Sequence, residues 1–314
     1  LKIDYIFHEE YLIEYYNRIC HLLSSDNLVL DQRTMLSELL NKDFDLIEDF
    51  NFFEIITSKE AYFNCYKSNG ALLKVNFLVN FEEAYMKFIK KRKNKLDAYS
   101  LIEKTSLKTC PYCNLNDIIT YKSDIGSSRA EIDHFLSQRD FPHFTFSVYN
   151  LVPCCHECNA SFKGAKLFNL EQYFNPFFDD FIMDSTFDLI IDKLPDILTI
   201  ESSYNLSKIK LNTKSKHEKI NNNNNSFSLC FTNLFSNAGR YNLYKEDAIN
   251  IVKKYSSIVN RYETNAMYNR SKKDLEFKEF ERRLCNIPDI NSKSDYLKSS
   301  KSKLIIDLHN KYYK

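Results

Sequence analysis

Hydrophobic residues before position 105 recur at the three- and four-residue spacing of amphipathic helices. The first such stripe consists of Leu12, Ile13, Tyr16, Ile19, Cys20 and Leu23. A second stripe follows residue 240, where steps of four and three join Ala248, Val252, Tyr255, Val259 and Tyr262. This second stripe indicates either a core-facing helix or a seam for a partner helix. Between the two helical regions, short segments predict strands at 187–192, 197–202 and 208–211.

Chain-breaking residues are rare and are concentrated in the middle of the chain. Four glycines and six prolines occur among 314 residues, and four of the prolines stand at 111, 142, 153 and 176. This irregular part predicts a strand at 129–135, an antiparallel return at 148–153 and a helix at 156–163 that stops at Gly164. We therefore expect an α+β protein, mainly α-helical. Its predicted regions are helices at 1–105, a strand–strand–helix core at 106–180, and short strands followed by helices at 181–314.

Length and composition allow a sizeable core, since 44% of the 314 residues are hydrophobic, and two or three compact regions are expected. No run approaches eighteen apolar residues and no signal segment opens the sequence, which predicts a soluble, cytoplasmic protein without a membrane partner. The net charge is only +1, so nucleic-acid affinity would require a local basic patch. Residues 86–108 contain eight basic and two acidic side chains, which indicates either phosphate contacts or a solvated helix face.

Five of the nine cysteines lie between residues 110 and 158, which fits thiolate metal binding in a reducing compartment. Two Cys-x-x-Cys pairs separated by about forty residues are typical of a tetrahedral Cys₄ structural Zn²⁺ site, and here they are Cys110/Cys113 and Cys155/Cys158. Prolines at 111 and 153 favour the tight turns of such pairs. Cys154 could replace Cys155, although its spacing to Cys158 is one residue longer. The other alternative is a set of buried free thiols, which the paired spacing disfavours.

Further polar residues lie inside and beside the cysteine pairs: Asp133-His134, Asn150 and Asn159. Their order and spacing, within a predicted strand–strand–helix unit, resemble the HNH endonucleases over residues 108–180. The resemblance implies a ββα-metal nuclease core flanked by helical regions. It also implies a metal-dependent endonuclease that hydrolyses phosphodiester bonds in DNA or RNA, with DNA as the expected partner.

Chemistry and the resemblance together give each of these residues a role. His134 is expected to be the base for the attacking water, because a neutral imidazole can accept a proton near pH 7. Asp133 and the amide oxygen of Asn159 are expected to bind a catalytic Mg²⁺ or Mn²⁺, since these hard cations prefer oxygen ligands. The resemblance assigns Asn150 to holding the loop between the strands, and through it the orientation of His134.

Neighbouring residues leave alternatives open. Glu131 shares a strand face with Asp133, so it is either a further metal ligand or a hydrogen-bond acceptor. His143 and His156 are expected to be supporting or surface residues. Two lysines come shortly after Asn159, and they indicate either phosphate contacts or a solvated helix end: Lys163 and Lys166.

Longer motifs narrow the resemblance: Asp133-His-Phe, Tyr149-Asn-Leu-Val-Pro, Cys155-x-x-Cys158-Asn159, Asn175-Pro-Phe-Phe-Asp-Asp and Arg240-Tyr-Asn. They look like the HNH subunit of Septu-type and retron-associated anti-phage defence systems, which acts with an ATPase partner. Four glycines cannot build a phosphate-binding loop here, so that ATPase would be another chain. Two alternatives remain: a non-catalytic zinc module that binds nucleic acid or protein, and a stand-alone HNH restriction or mobile-element nuclease. The candidate catalytic residues favour an enzyme, because a binding module needs only the cysteines.

Overall fold

The computed structural model describes residues 3, 7–23, 52–69, 81–90, 96–123, 125–171, 173–179, 185–191, 207–213, 235–252 and 298–312. These residues form helices and three two-stranded antiparallel sheets, so the predicted α+β class is confirmed. The chain divides into two compact units. The N-terminal unit comprises Tyr5–Leu107 and Ile118–Leu170, and the C-terminal unit comprises Leu1–Asp4, Lys108–Asp117 and Glu171–Lys314. The predicted boundaries after residues 105 and 180 stay a prediction.

The N-terminal unit begins with helices that bury aromatic side chains. Their bounds are α1 Glu9–Leu23, α2 Phe52–Thr57, α3 Lys59–Asn69, α4 Phe81–Phe88 and α5 Ala98–Thr105. In α1 the predicted helix is confirmed, but Tyr11, Tyr15 and Ile19 form the buried face, whereas Ile13 is 45% exposed. Large aromatic rings bury more apolar surface than an isoleucine, so they determine which face of the helix turns inward.

The strand–strand–helix core follows these helices in the order that the sequence predicts. A small hairpin, β1 Tyr121–Lys122 with β2 Ser127–Ser128, precedes it. Strand β3, Glu131–His134, pairs antiparallel with β4, Leu151–Cys154. The expected α-helix is instead a π-helix, Glu157–Lys163. Its last hydrogen bond joins the Gly164 N–H to the Asn159 carbonyl, five residues earlier, over 2.8 Å. Gly164 ends it with a φ of 52°, a left-handed conformation that glycine adopts without strain.

The C-terminal unit contains a longer antiparallel pair, β5 Ser185–Ile191 with β6 Ser207–Thr213. These strands confirm the predictions at 187–192 and 208–211, and the strand predicted at 197–202 lies outside the described residues. The rest of the described part of this unit is helical: α6 Asn237–Tyr241, a 3₁₀ turn Asn242–Tyr244, helical residues 245–252 and α7 Ser302–Tyr312. The hydrophobic stripe from residue 248 is helical and buried at Ala248, and its positions 255–262 lie outside the described residues. In the described parts of the chain, no helix is long and apolar enough to cross a bilayer.

Candidate functional site

Four buried cysteine side chains form a candidate metal centre. The sulfur atoms lie within 4.8 Å of one another, and they belong to Cys110, Cys113, Cys155 and Cys158. In a tetrahedral zinc site with bonds of about 2.3 Å, the sulfurs stand about 3.8 Å apart, so the observed cluster has suitable dimensions. Cys155 belongs to the cluster and Cys154 does not, which settles that alternative. Burial raises the pKa of the Cys154 thiol, which keeps this neighbour protonated.

Hydrogen bonds shape the turn that carries the first cysteine pair. The Asn114 N–H donates to the Cys110 carbonyl over 2.7 Å, and Asn114 adopts a left-handed φ of 51°. Asparagine tolerates this conformation better than most residues, because its short polar side chain can form local hydrogen bonds. The Asn114 side chain also accepts hydrogen bonds from the Ser302 hydroxyl at 3.1 Å and the Lys303 N–H at 3.0 Å. The start of α7 therefore fixes this turn.

The Arg240-Tyr-Asn motif also lies against this turn. The Tyr241 hydroxyl donates to the Cys113 carbonyl over 2.9 Å, and Tyr241 is almost fully buried. The Asn242 side chain accepts from the Ile209 N–H at 2.8 Å and donates to the Ile209 carbonyl at 3.1 Å. This motif therefore connects the cysteine turn with strand β6, a structural role that the sequence did not predict.

His134 is the last residue of β3, and its ring is held on two sides. Its Nε2 lies 3.0 Å from the Thr145 carbonyl oxygen, and its ring centroid lies 4.5 Å from that of Tyr85 in α4. Burial lowers the pKa of His134 to about 4, partly opposed by the charge of Asp133. The imidazole is therefore neutral near pH 7. Because a carbonyl only accepts hydrogen bonds, Nε2 carries the proton and Nδ1 has the lone pair.

Asp133 is buried and forms an ion pair with a lysine of the π-helix. The Lys163 ammonium lies 2.5 Å from Asp133 Oδ1, and both side chains are 5% exposed. The same ammonium donates to the carbonyls of His134 and Phe135, the latter over 3.2 Å. The expectation of a solvated helix end is therefore wrong for Lys163, and a phosphate contact by this residue stays a prediction. A carboxylate inside a protein needs a counter-charge, and Lys163 provides it.

Asn150 lies just before β4 and bonds to the loop that connects the two strands. Its Oδ1 accepts from the Leu136 N–H at 2.8 Å and from the Tyr62 hydroxyl at 3.0 Å. Its Nδ2 donates to the carbonyls of Leu136 and Phe144, each over 3.1 Å. All four hydrogen-bonding positions of this amide are thus used within a fully buried side chain. Asn150 makes the loop contacts that the proposed role requires.

Asn159 lies in the π-helix, and its side chain forms a hydrogen bond with Glu131. Its Nδ2 donates to Glu131 Oε2 over 2.8 Å, and the other carboxylate oxygen lies 2.6 Å from His156 Nδ1. The hydrogen bond to Glu131 raises the pKa of His156, which is exposed as expected. Because a carboxylate accepts only, it orients the Asn159 amide with its oxygen away from Glu131. Asp133 and Asn159 thus each have a partner of their own.

His143, in contrast, is a core residue. It is 3% exposed and its ring centroid lies 4.0 Å from that of Phe144. Burial lowers the pKa of His143 to about 3, so it is uncharged near neutral pH. Of the two expected roles for His143, a surface position is therefore wrong, and a supporting role stays a prediction.

The basic stretch at 86–108 is only partly described. Lys87 forms an ion pair with Glu83 across one helical turn, at 2.9 Å. Lys104 lies over the ring of Tyr11, 5.5 Å from its centroid. Residues 91–95, which hold four of its basic side chains, lie outside the described residues. For Lys87, the contact with Glu83 agrees with a solvated helix face.

Comparisons with known proteins add little to this geometry. Protein ea31 of Escherichia phage lambda is 38% identical over 60 residues, which cover 19% of this chain and 17% of that protein. No family model matches the chain, and no solved structure matches it. The chain thus shares one short segment with that relative, and its function must be argued from the site itself.

Sequence reasoning missed three residues that shape this site. Lys163 was expected to contact phosphate or solvent rather than Asp133, and Tyr62 and Tyr85 belong to helices that precede the cysteine and histidine motifs. The one available signal was the position of Lys163, four residues after Asn159 and thus near it on a helix. The two tyrosines had no such signal, because they approach the site only through the packing of α3 and α4.

Proposed function

We propose that this chain is a metal-dependent endonuclease of the HNH type that hydrolyses phosphodiester bonds in DNA. The observation that carries the proposal is the hydrogen bond between His134 Nε2 and the Thr145 carbonyl. It leaves Nδ1 as the basic nitrogen, on the residue that directly follows Asp133 in strand β3. Hydrolysis requires such a base for water, and general-base catalysis contributes about 10²–10⁴-fold to a rate.

The proposal assigns the surrounding residues to orientation. Asn150 holds the loop that presents the Thr145 carbonyl, so it fixes the imidazole indirectly. Glu131 holds the amide of Asn159 in one orientation. Asp133 and His134 lie on β3, Asn150 just before β4 and Asn159 in the π-helix, and this arrangement supports the proposed ββα-metal core.

The four thiols suit Zn²⁺, and we propose that it binds there as a structural ion. Thiolates are preferred zinc ligands, and a closed set of four cysteines is typical of structural rather than catalytic zinc. The donors are buried, one pair lies in a turn, and the other pair lies at the start of the π-helix. No catalytic step is assigned to this centre.

The residues also fit a hard cation in their donor chemistry. Asp133 offers a carboxylate oxygen and Asn159 an amide oxygen, which suit Mg²⁺ or Mn²⁺. The ammonium of Lys163 already stands against Asp133 Oδ1, so this position accommodates positive charge. When bound there, the cation would stabilise negative charge on the scissile phosphate. Asp133 would bind it after exchanging the ammonium for the metal.

A supercoiled-plasmid nicking assay tests the proposal. The zinc-loaded chain is expected to nick DNA with Mg²⁺ or Mn²⁺, and EDTA is expected to stop the reaction while zinc stays bound. Parallel assays on linear DNA, single-stranded DNA and RNA define the substrate. Absence of cleavage with every metal and substrate, by the chain alone and with any ATPase that a neighbouring gene encodes, would refute the proposal.

The second candidate function is a non-catalytic zinc module that binds nucleic acid or protein. The observation that favours it is the buried pair of Asp133 and Lys163, which would be a permanent structural contact in such a module. Retained nucleic-acid or protein binding without cleavage in the same assay would support it.

Replacing Lys163 with methionine distinguishes these two readings of the ion pair. If Asp133 binds the cation, Lys163→Met should tighten Mn²⁺ binding by about tenfold, since no ammonium then competes for the carboxylate. The fold should also become less stable, by about 3–5 kcal/mol in the absence of metal, because a buried carboxylate loses its partner. Electron paramagnetic resonance of free Mn²⁺ measures the affinity, and thermal melting measures stability.

Two further variants serve as controls for this measurement. Lys166→Met removes a lysine whose ammonium is exposed and bonded to the Phe162 carbonyl, and it should leave Mn²⁺ binding unchanged. The double variant Asp133→Asn/Lys163→Met restores charge balance and should fold but bind no Mn²⁺ at this site. Equal Mn²⁺ affinity in Lys163→Met and the original chain would argue for a permanent structural pair.

The wider biological assignment also remains a proposal. The resemblance to Septu-type defence subunits implies an anti-phage effector that works with an ATPase. A stand-alone restriction or mobile-element nuclease remains the alternative, and the neighbouring genes would distinguish the two. Part of the basic stretch and most of the second hydrophobic stripe, which could contact DNA and that partner, lie outside the described residues.

A further inference from the structure

The loop between β3 and β4 is covered by the helices at the start of the chain. The Tyr15 hydroxyl of α1 donates to the Phe146 carbonyl over 2.9 Å. The Val148 N–H donates to the Ile56 carbonyl at the end of α2 over 3.0 Å. Both contacts join residues far apart in the sequence and fall on the loop that precedes Asn150. The helices therefore restrain the loop backbone directly.

Aromatic packing reinforces these hydrogen bonds. Phe144 and Phe146 of the loop are fully buried. The ring of Phe144 lies 4.6 Å from that of Tyr62 in α3, and the ring of Phe146 lies 6.0 Å, edge to face, from that of Phe88 in α4. Two buried phenylalanines contribute about 1.5–3 kcal/mol each to holding the loop in place. The loop thus depends on these helices for much of its burial.

Two tyrosines extend this restraint to the proposed catalytic residues. Tyr85 places its ring 4.5 Å from the imidazole of His134, at an interplanar angle of 59°. Together with the Thr145 carbonyl at Nε2, this contact restricts rotation of the His134 ring. Tyr62 donates its hydroxyl to Asn150 Oδ1 over 3.0 Å. Each tyrosine therefore contacts one residue with a proposed role in the nuclease site.

We propose that the N-terminal helices act as a positioning scaffold for the nuclease site, in which Tyr85 orients the imidazole of His134 and Tyr62 orients the amide of Asn150. This inference rests on the proposed function for its catalytic meaning. It gives the N-terminal helical region a role in the reaction geometry. Neither tyrosine is assigned a contact with the substrate.

Paired substitutions of Tyr85 test the inference. Tyr85→Leu removes the ring, so kcat should fall at least about tenfold with KM changed less than about twofold, because the base is misoriented and DNA binding is not. Tyr85→Phe keeps the ring and should retain both constants within about twofold. Nitrogen-15 NMR of the His134 side chain should show one Nε2–H tautomer in the original chain and in Tyr85→Phe, and a mixture in Tyr85→Leu.

Tyr62→Phe provides a variant that preserves the ring packing. It removes one hydrogen bond to Asn150 and should lower kcat about threefold to tenfold. The matched control is Tyr99→Phe, which removes a hydroxyl bonded to Ser127 at 3.2 Å in the same unit. That control should cleave DNA at the original rate.

Three results would overturn the positioning role. The first is a folded Tyr85→Leu protein whose His134 tautomer and kcat are unchanged. The second is a Tyr85→Phe protein that is as impaired as Tyr85→Leu. The third is equal activity of the Tyr62→Phe and Tyr99→Phe proteins. The second result would assign the Tyr85 hydroxyl to substrate contact instead. If the chain cleaves nothing, the proposed function fails, whereas the NMR comparison still decides whether Tyr85 orients His134.

Discussion

Replacing His134 with alanine is expected to abolish DNA cleavage while the protein remains folded. The imidazole is the only side chain that we assign as base, so its removal should lower the rate by about 10²–10⁴-fold. The ring is partly buried and its hydrogen bond to Thr145 is lost, so the stability cost should be only about 1–3 kcal/mol. Plasmid nicking over time measures the rate, and thermal melting with zinc analysis verifies the fold.

His21 of α1 provides a matched control for this substitution. It is exposed on a helix of the same unit, and His21→Ala should retain full cleavage. A folded His134→Ala protein that nicks DNA at the original rate would remove His134 from the mechanism. Loss of zinc in the same variant would instead show that the change disturbs more than the imidazole.

Replacing cysteines of the candidate metal centre is expected to remove zinc and lower the stability of the protein, whereas His134→Ala should leave both largely intact. Structural zinc contributes about 10–16 kcal/mol in small zinc-binding peptides, which is comparable to the total stability of a domain. Cys110→Ser or Cys158→Ser should therefore lower zinc from one ion per chain towards zero and reduce the soluble yield. Elemental analysis of the purified protein measures zinc, and calorimetry measures the loss of stability.

Cys20→Ser is the matched control, because Cys20 is also buried but lies outside the cluster. It should keep the full zinc content. A well-folded, active and zinc-free Cys110→Ser/Cys158→Ser protein would reject the structural role of zinc. Together with His134→Ala, these variants test separately the proposed structural metal and the proposed catalytic residue.

Much of the local architecture could be predicted because its signals lie within a few residues. The two cysteines of each pair are only three residues apart, so their spacing alone indicates that they can bind the same metal ion. Strands β3 and β4 and the helix after them followed from short apolar segments and the breakers around them. Strand β5 was likewise expected close to its observed position.

The buried face of α1 was harder to predict, since periodicity identifies a helix but not which of several apolar residues meets the core. Ile13 and Tyr15 are both apolar, yet only Tyr15 is buried. The π-helix was also predicted as an ordinary α-helix, because the two differ by a single residue in their hydrogen-bond spacing.

The sequence by itself indicated which cysteines come together, with Cys154 as the alternative to Cys155, and the order of strands and helix that carries the nuclease candidates. Only the tertiary structure decided that Lys163 neutralises Asp133, that Tyr241 supports the Cys113 turn, and that Tyr62 holds Asn150. These pairs are separated by 30, 128 and 88 residues. Spacing along a chain specifies which side chains share a turn or a face, whereas contacts between distant segments depend on how the whole core packs.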